Sequence, residues 1–86
     1  MDEPELVRRA RAGDADAFTA LVELHAPRIL RLVRGFVPEQ ECEDVAQDAL
    51  LKAWRKLPEF DGRSQFYTWL YRVAANTAMD WRKRER

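Results

Sequence analysis

Between Gln65 and Lys83 the chain gathers three kinds of side chain that together can hold a nucleic acid. Trp69 offers a ring face, Asn76 an amide, and Arg72 and Lys83 positive charge. Stacking on a base, hydrogen bonding to a base edge and neutralising a phosphate need those three types together. At about 100° per residue, Gln65, Trp69, Arg72, Asn76 and Lys83 share one side of a helix, with Thr68 and Met79 at its margin. Immediately before them, Pro58-Glu59-Phe60-Asp61-Gly62-Arg63 breaks the helical pattern. A loop that admits a nucleotide closely suits a residue without a side chain, in a left-handed conformation. On its own, Gly62 fits an ordinary turn equally well. Asn76 is a poor helix former in mid-helix, which favours a functional reason for it, although a solvent-facing Asn is common.

Other constellations are less productive. Asp44 and Asp48 stand one helical turn apart and could imitate an acid–base pair. No nucleophile, glycine-rich phosphate loop or apolar pocket accompanies them, so the chain is not expected to be an enzyme. Cys42 and His25 supply one soft ligand each, too few for a zinc site, and no metal or cofactor is expected. With Cys42 the only cysteine, an internal disulfide is impossible and a reducing compartment is the simplest setting. The amino terminus, MDEPELVRRA, has no apolar run of signal-peptide length, and nothing approaches a membrane span. A cytoplasmic location follows as the expectation.

The elements that must position these residues are helices. Eighty-six residues make one domain, and a hydrophobic share of 47% suits a globular fold. Strand patterning is absent, while helical periodicity runs almost throughout, so the expected architecture is an all-α bundle of four helices. The first is short, begins near Pro4 and stops at Gly13. Asp14 or Asp16 caps a second that runs to about Val37, with a kink expected at Pro27. Its apolar stripe contains Phe18, Leu21, Val22, Ile29, Leu32, Val33 and Phe36. The third spans roughly Glu41 to Leu57, with Ala46, Leu50, Ala53, Trp54 and Leu57 on its core side. Ser64 is a natural cap for the fourth, which runs from Gln65 to about Arg84. Its expected core stripe is Phe66, Leu70, Val73, Thr77 and Trp81.

The third helix carries a second stripe of Asp44, Gln47, Asp48, Leu51 and Arg55. By spacing alone it fits a protein-binding face or an ordinary solvent face with one stray leucine. Charge is equally divided: 15 Lys and Arg balance 15 Asp and Glu, so net charge says nothing about partners. Its distribution says more. Glu39, Glu41, Glu43, Asp44 and Asp48 fall in a stretch without a base, whereas Arg63, Arg72, Arg82, Lys83, Arg84 and Arg86 outnumber Asp80 and Glu85. Two different binding surfaces, or simply solvated helix faces, would produce that asymmetry.

Longer motifs break the tie. The segment CEDVAQDALLKAWRKLPEF resembles region 2.2 of the extracytoplasmic-function (ECF) group of the sigma-70 family. FDGRSQFYTWLYRVAANTAMDWRKR resembles regions 2.3 and 2.4 of that group, nearest to sigma-E-type factors. GDADAFTALVELHAPRILRLV is similar to regions 1.2 and 2.1, so the resemblance covers essentially the whole chain, residues 1–86, as one sigma region 2 domain.

What the resemblance implies is specific. Region 2.2 of the family docks on the clamp helices of the RNA polymerase beta-prime subunit, which assigns Glu43, Asp44, Gln47, Asp48 and Leu51 to polymerase binding. The family reads the minus-ten promoter element on the non-template strand and captures a flipped base in the loop before the last helix. That implies a pocket of Phe60, Asp61, Gly62, Arg63, Ser64 and Asn76. Tyr67, Thr68, Trp69 and Arg72 would meet neighbouring nucleotides, and Arg82, Lys83 and Arg84 phosphates. Family members are commonly restrained by an anti-sigma factor. They continue into a second helical domain that reads the minus-thirty-five element, and that region 4 domain is not represented in these residues.

Three positions depart from the pattern. The charged loop residues Asp61 and Arg63 differ from close relatives, which leaves the preferred promoter sequence open, and His25 stands where many relatives carry an aromatic. The energetics also set a limit. Unpairing and unstacking a nucleotide cost a few kcal/mol, and stacking on an aromatic returns roughly 1–3 kcal/mol. Base capture by so small a domain therefore about breaks even, and polymerase contacts must tip the balance. The rival readings are a helical adaptor without a nucleic-acid role and a helix-turn-helix reader of duplex DNA.

Overall fold

A computed structural model describes residues 2–85 as four α-helices. Helix α1 spans Glu3–Arg11, α2 Ala15–Arg34, α3 Cys42–Lys56 and α4 Phe66–Arg84; short 3-10 turns at Glu39–Glu41 and Leu57–Glu59 flank α3. The starts follow capping chemistry. The Asp2 carboxylate accepts the Glu5 N–H at 3.0 Å, and Asp14 accepts that of Ala17 at 3.1 Å, each satisfying a donor that the helix leaves free. Gly13 between α1 and α2 has φ +103°, the left-handed turn expected of it.

Two boundaries differ from expectation. Helix α2 continues through Pro27 but stops at Arg34, short of Val37. The N–H groups of Gly35, Phe36 and Val37 fold back onto the carbonyls of Leu32 and Val33, and Pro38 has no N–H to carry the helix on. At the start of α4, Gln65 occupies the cap position and no side chain caps the helix, so Ser64 does not perform that role. The loop is held from within instead: the Asp61 carboxylate accepts the Arg63 N–H at 3.0 Å.

Helix α1 packs on α2, α2 lies against both α3 and α4, and α3 lies directly on α4. Leu21, Ile29, Val33, Leu57 and Leu70 form the fully buried centre. The α3 and α4 faces turned inward are richer in small residues than the expected stripes: Val45, Ala49, Ala53, Ala74 and Ala78 are buried, while Leu50, Trp54, Val73 and Trp81 are only half-buried. Small side chains let two helices approach closely, and the bulky neighbours are thereby pushed to the rim of the contact. Thr77 is buried because its hydroxyl donates to the Val73 carbonyl at 2.8 Å.

His25 ties three helices together. Its ring lies 5.2 Å from that of Tyr67 and 6.0 Å from that of Phe66, both on α4. Its Nε2 sits 3.2 Å from the Glu3 carboxylate of α1, near enough for attraction but out of line for a hydrogen bond. The ring thus acts as a packing group between α2 and α4.

Candidate nucleic-acid and protein interfaces

The loop before α4 is rooted by aromatic packing. Phe60 is buried, with its ring 5.3 Å from Trp69 and 6.1 Å from Phe66 in an edge-on contact. Phe66 and Trp69 complete the triangle at 5.8 Å. Offset and edge-on ring pairs of this kind are favourable beyond the area they bury. Phe60, expected as a pocket residue, therefore serves as the floor from which the loop rises. Above it, Asp61, Gly62 and Arg63 are exposed. Gly62 has φ +81°, a left-handed conformation, and a Cβ there would meet nothing within 4 Å. Backbone conformation, and not crowding, demands glycine at this point.

A hollow of about 450 Å³ opens on one side of the loop. Asp61, Arg63, Ser64, Trp69 and Arg72 line it, over the Phe60 floor. Two expected members are missing. Gly62 faces a different hollow, toward Pro4 and Val7 of α1. Asn76 lies one turn further along α4, in a groove between α3 and α4 that shares Trp69 and Arg72 with the loop hollow. The groove also contains Lys52, Arg55 and Lys56 of α3, none of which the sequence reading had assigned to nucleic acid. The two charged departures of the loop are paired with each other: Arg63 Nε stands 3.3 Å from an Asp61 oxygen, with both side chains largely in solvent. Such an exposed pair contributes little and is easily exchanged for another partner.

Tyr67 and Trp69, two residues apart, occupy opposite shoulders of α4, with Thr68 and Arg72 between them. Tyr67 packs on His25 and Tyr71, and the Arg28 guanidinium lies 5.0 Å above its ring. It belongs to the α2 side of the bundle and not to the loop hollow. At the end of α4, Arg82 leans over the Phe36 ring at 5.8 Å, while Lys83 and Arg84 are exposed. Both flanks of the helix thus offer a ring with a cation beside it.

The face of α3 carries a different chemistry. Glu43, Asp44, Gln47 and Leu51 are exposed, Leu51 to 55%. Asp48 is half-buried and pairs with Lys52 at 3.4 Å. Two hollows between α2 and α3 meet at Gln47 and Leu50. One reaches Ile29 and Leu30, the other Phe18, Leu51 and Trp54. Leu50 and Trp54, expected in the core, are half-buried walls of this surface, and the Trp54 ring rests 5.0 Å from Phe18. Reading each helix separately hid the contribution of α2. Arg55, aligned with the acidic stripe by spacing, belongs to the groove against α4 instead.

Comparison with known proteins agrees with this geometry. Sigma-70 region 2 matches residues 21–86. The RNA polymerase sigma-H factor of Pseudomonas aeruginosa is 51% identical over 77 residues, and the ECF RNA polymerase sigma-E factor of Escherichia coli K12 is 46% identical over 76. Each alignment takes in 88% of this chain and 40% of the relative, so the chain spans well under half the length of these proteins. Among solved structures, an engineered region 2 of sigmaE in complex with GTAAAA superposes with a TM-score of 0.89 at 41% identity, covering 94% of this chain and 85% of that one. CnrH in complex with the cytosolic domain of CnrY gives 0.80 at 36% identity, covering 87% and 49%. An all-α bundle of this order, with its motifs aligned across nearly the whole chain, places the protein in the sigma-70 region 2 family, among the ECF-type sigma factors.

Proposed function

We propose that the chain acts in transcription initiation as a sigma factor domain. It docks on the beta-prime clamp helices of core RNA polymerase and captures an unstacked non-template base of the minus-ten element. The observation that carries the DNA half is the open hollow over Phe60, where Trp69, Arg72, Ser64 and the loop charges meet. It is supported by the likeness to a region 2 of sigmaE in complex with GTAAAA. In this reading Trp69 stacks on a base, Arg63 and Arg72 neutralise phosphates, and Ser64 and Asn76 offer hydrogen bonds to base edges. Tyr67 and Thr68 guide the strand across α4, and Arg82, Lys83 and Arg84 hold the backbone beyond it.

The polymerase half rests on Glu43, Asp44, Gln47, Asp48 and Leu51. Exposed carboxylates around an exposed leucine suit a basic partner helix that brings its own apolar side chains. The complex of CnrH with the cytosolic domain of CnrY supports a protein partner for this kind of domain, and an anti-sigma factor is the corresponding proposal here.

The test is a binding screen of single-stranded oligonucleotides varied one base at a time, with the matching duplex as competitor. The single strand should win over the duplex, and one or two positions should dominate. Asn76→Ala should weaken the cognate strand far more than a scrambled one. Equal losses on both would remove Asn76 from base reading, and a preference for duplex would favour a helix-turn-helix mode instead.

A further inference from the structure

The chain has a single histidine, and it sits where α1, α2 and α4 meet. The His25 side chain is 12% exposed, and its Nε2 is shut off from solvent with no hydrogen-bond partner among the described residues. A Glu3 oxygen of α1 stands 3.2 Å from that nitrogen. A buried polar atom without a partner costs free energy, so packing alone gives no reason for a nitrogen at this point. The dipole of α1 favours a carboxylate in its first turn, but it does not account for an imidazole turned toward that carboxylate. The ring also lies 6.0 Å from Phe66, which packs against both Phe60 and Trp69 of the loop hollow. On the α1 side a second hollow, of about 480 Å³, lies between Glu3, Pro4 and Val7 and the loop residues Gly62 and Ser64. One ring therefore joins α1 to the root of the loop.

A neutral imidazole gains little from Glu3, because the contact is out of line for a hydrogen bond. An imidazolium gains from it through charge, which depends on distance and is screened less at a partly buried site. We infer that His25 is a positioning residue: its protonation clasps α1 onto α2 and α4 and steadies the loop that captures the base. The inference rests on the proposed capture of a minus-ten base and adds a proton-dependent element to it. Other groups face the ring from each element packed against it. Arg28 of α2 shares the Tyr67 ring with His25 and opposes the added charge. Arg8 of α1 borders the α1–loop hollow but is paired with Glu5. From α4 come Phe66 and the Tyr67 phenol, and the loop lends that hollow only the uncharged Phe60, Gly62, Ser64 and Gln65. Among the described residues, Glu3 is thus the one carboxylate within 4.0 Å of the imidazole nitrogens. A charged ring that finds its partner only in the folded chain adds stability as pH falls and loses it as pH rises.

The experiment compares wild type, Glu3→Gln and His25→Phe from about pH 7.5 to about pH 5.5, a range in which a histidine can gain its charge. Glu3→Gln keeps the size of the partner without its charge, and His25→Phe keeps a ring without the proton. Two quantities are read: the urea midpoint of unfolding, and the ratio of affinities for cognate and scrambled single strands. As pH falls, the wild-type midpoint should draw away above that of Glu3→Gln. The wild-type ratio should rise roughly two- to fivefold, the worth of one ion pair, while the ratio of neither variant rises. Loss of the α1 dipole contact alone would give Glu3→Gln the same gap at every pH, and a constant gap would overturn the clasp. A gap that widens in acid beside a flat ratio would overturn the positioning role, because added charge acting at a distance strengthens cognate and scrambled strands alike. A rising ratio in His25→Phe would trace the effect to another group and overturn it equally. The reading beneath it fails differently: wild type would show no base preference at any pH, and the midpoints would still decide the clasp.

Discussion

The two faces of α3 are built on opposite principles, although they belong to one helix. The side toward α2 presents half-buried apolar walls, Leu50 and Trp54, with carboxylates around the exposed Leu51. The side toward α4 presents cations with an aromatic and an amide beyond them. A protein partner can add its own apolar groups to the first, where burial does most of the work. A polyanion is drawn to the second by charge and stacks where it finds a ring. One 15-residue helix can thus serve two unlike partners at once, because its stripes face different neighbours.

Substitutions that affect one face and spare the other are the means to break this comparison. The largest effect is expected at Trp69, which lines both hollows on the DNA side. Trp69→Ala should weaken single-strand binding roughly 5- to 150-fold, the value of one stacked base, and leave polymerase affinity unchanged. Titration against both partners decides it, and a parallel loss on polymerase would merge the two faces into one.

Next in size is Asp48→Arg on the other face. It should lower affinity for core polymerase about tenfold, mainly through slower association, with helical content by circular dichroism intact. Undiminished binding would take Asp48 out of the docking face. Because Asp48 also holds Lys52, a loss of DNA affinity in the same variant would sharpen the comparison by showing that the faces communicate.

Gly62→Ala probes the loop alone. A side chain at φ +81° should cost about 1 kcal/mol, read by chemical denaturation, and leave polymerase binding as it was. An unchanged midpoint would mean that the loop does not keep this turn.

The smallest effect belongs to Asp14, remote from both faces. The Ala17 N–H, with help from the Arg9 charge, holds its carboxyl below the ordinary value of 3.8. A depressed carboxylate stabilises the fold above that value, and the contribution is lost as pH falls through the lowered one. Asp14→Ala should therefore lower the melting temperature slightly at pH 7, and the gap to wild type should narrow as pH falls below 3.8 and through the lowered value. A gap that persists in acid would assign the cap to something other than charge.

Much of this was legible from residues alone because capping, helix breaking and periodicity are local. Asp14, Gly13, Pro38 and the Pro58–Arg63 break all act within a few residues of themselves. The end of α2 was placed too late because Phe36 and Val37 continue an apolar pattern even though their N–H groups no longer follow the helix. Alanines were undervalued in the core because hydropathy ranks them low, whereas close packing of α3 on α4 needs small residues. Of the residues expected to form the pocket, Gly62 and Asn76 do not line the hollow that Trp69 and Arg72 share with Asp61, Arg63 and Ser64.

By itself the sequence determined the helices, the Asp14 cap of the second, the left-handed turns at Gly13 and Gly62, and the long motifs of the sigma-70 region 2 family. Tertiary structure alone decided which stripes meet. Lys56 and Asn76 border one groove, and Trp54 leans on Phe18, only because α3 packs against both α4 and α2. Helical periodicity fixes the direction of a side chain about its own axis. What it faces depends on how that axis crosses its neighbours, a relation between segments distant in the chain.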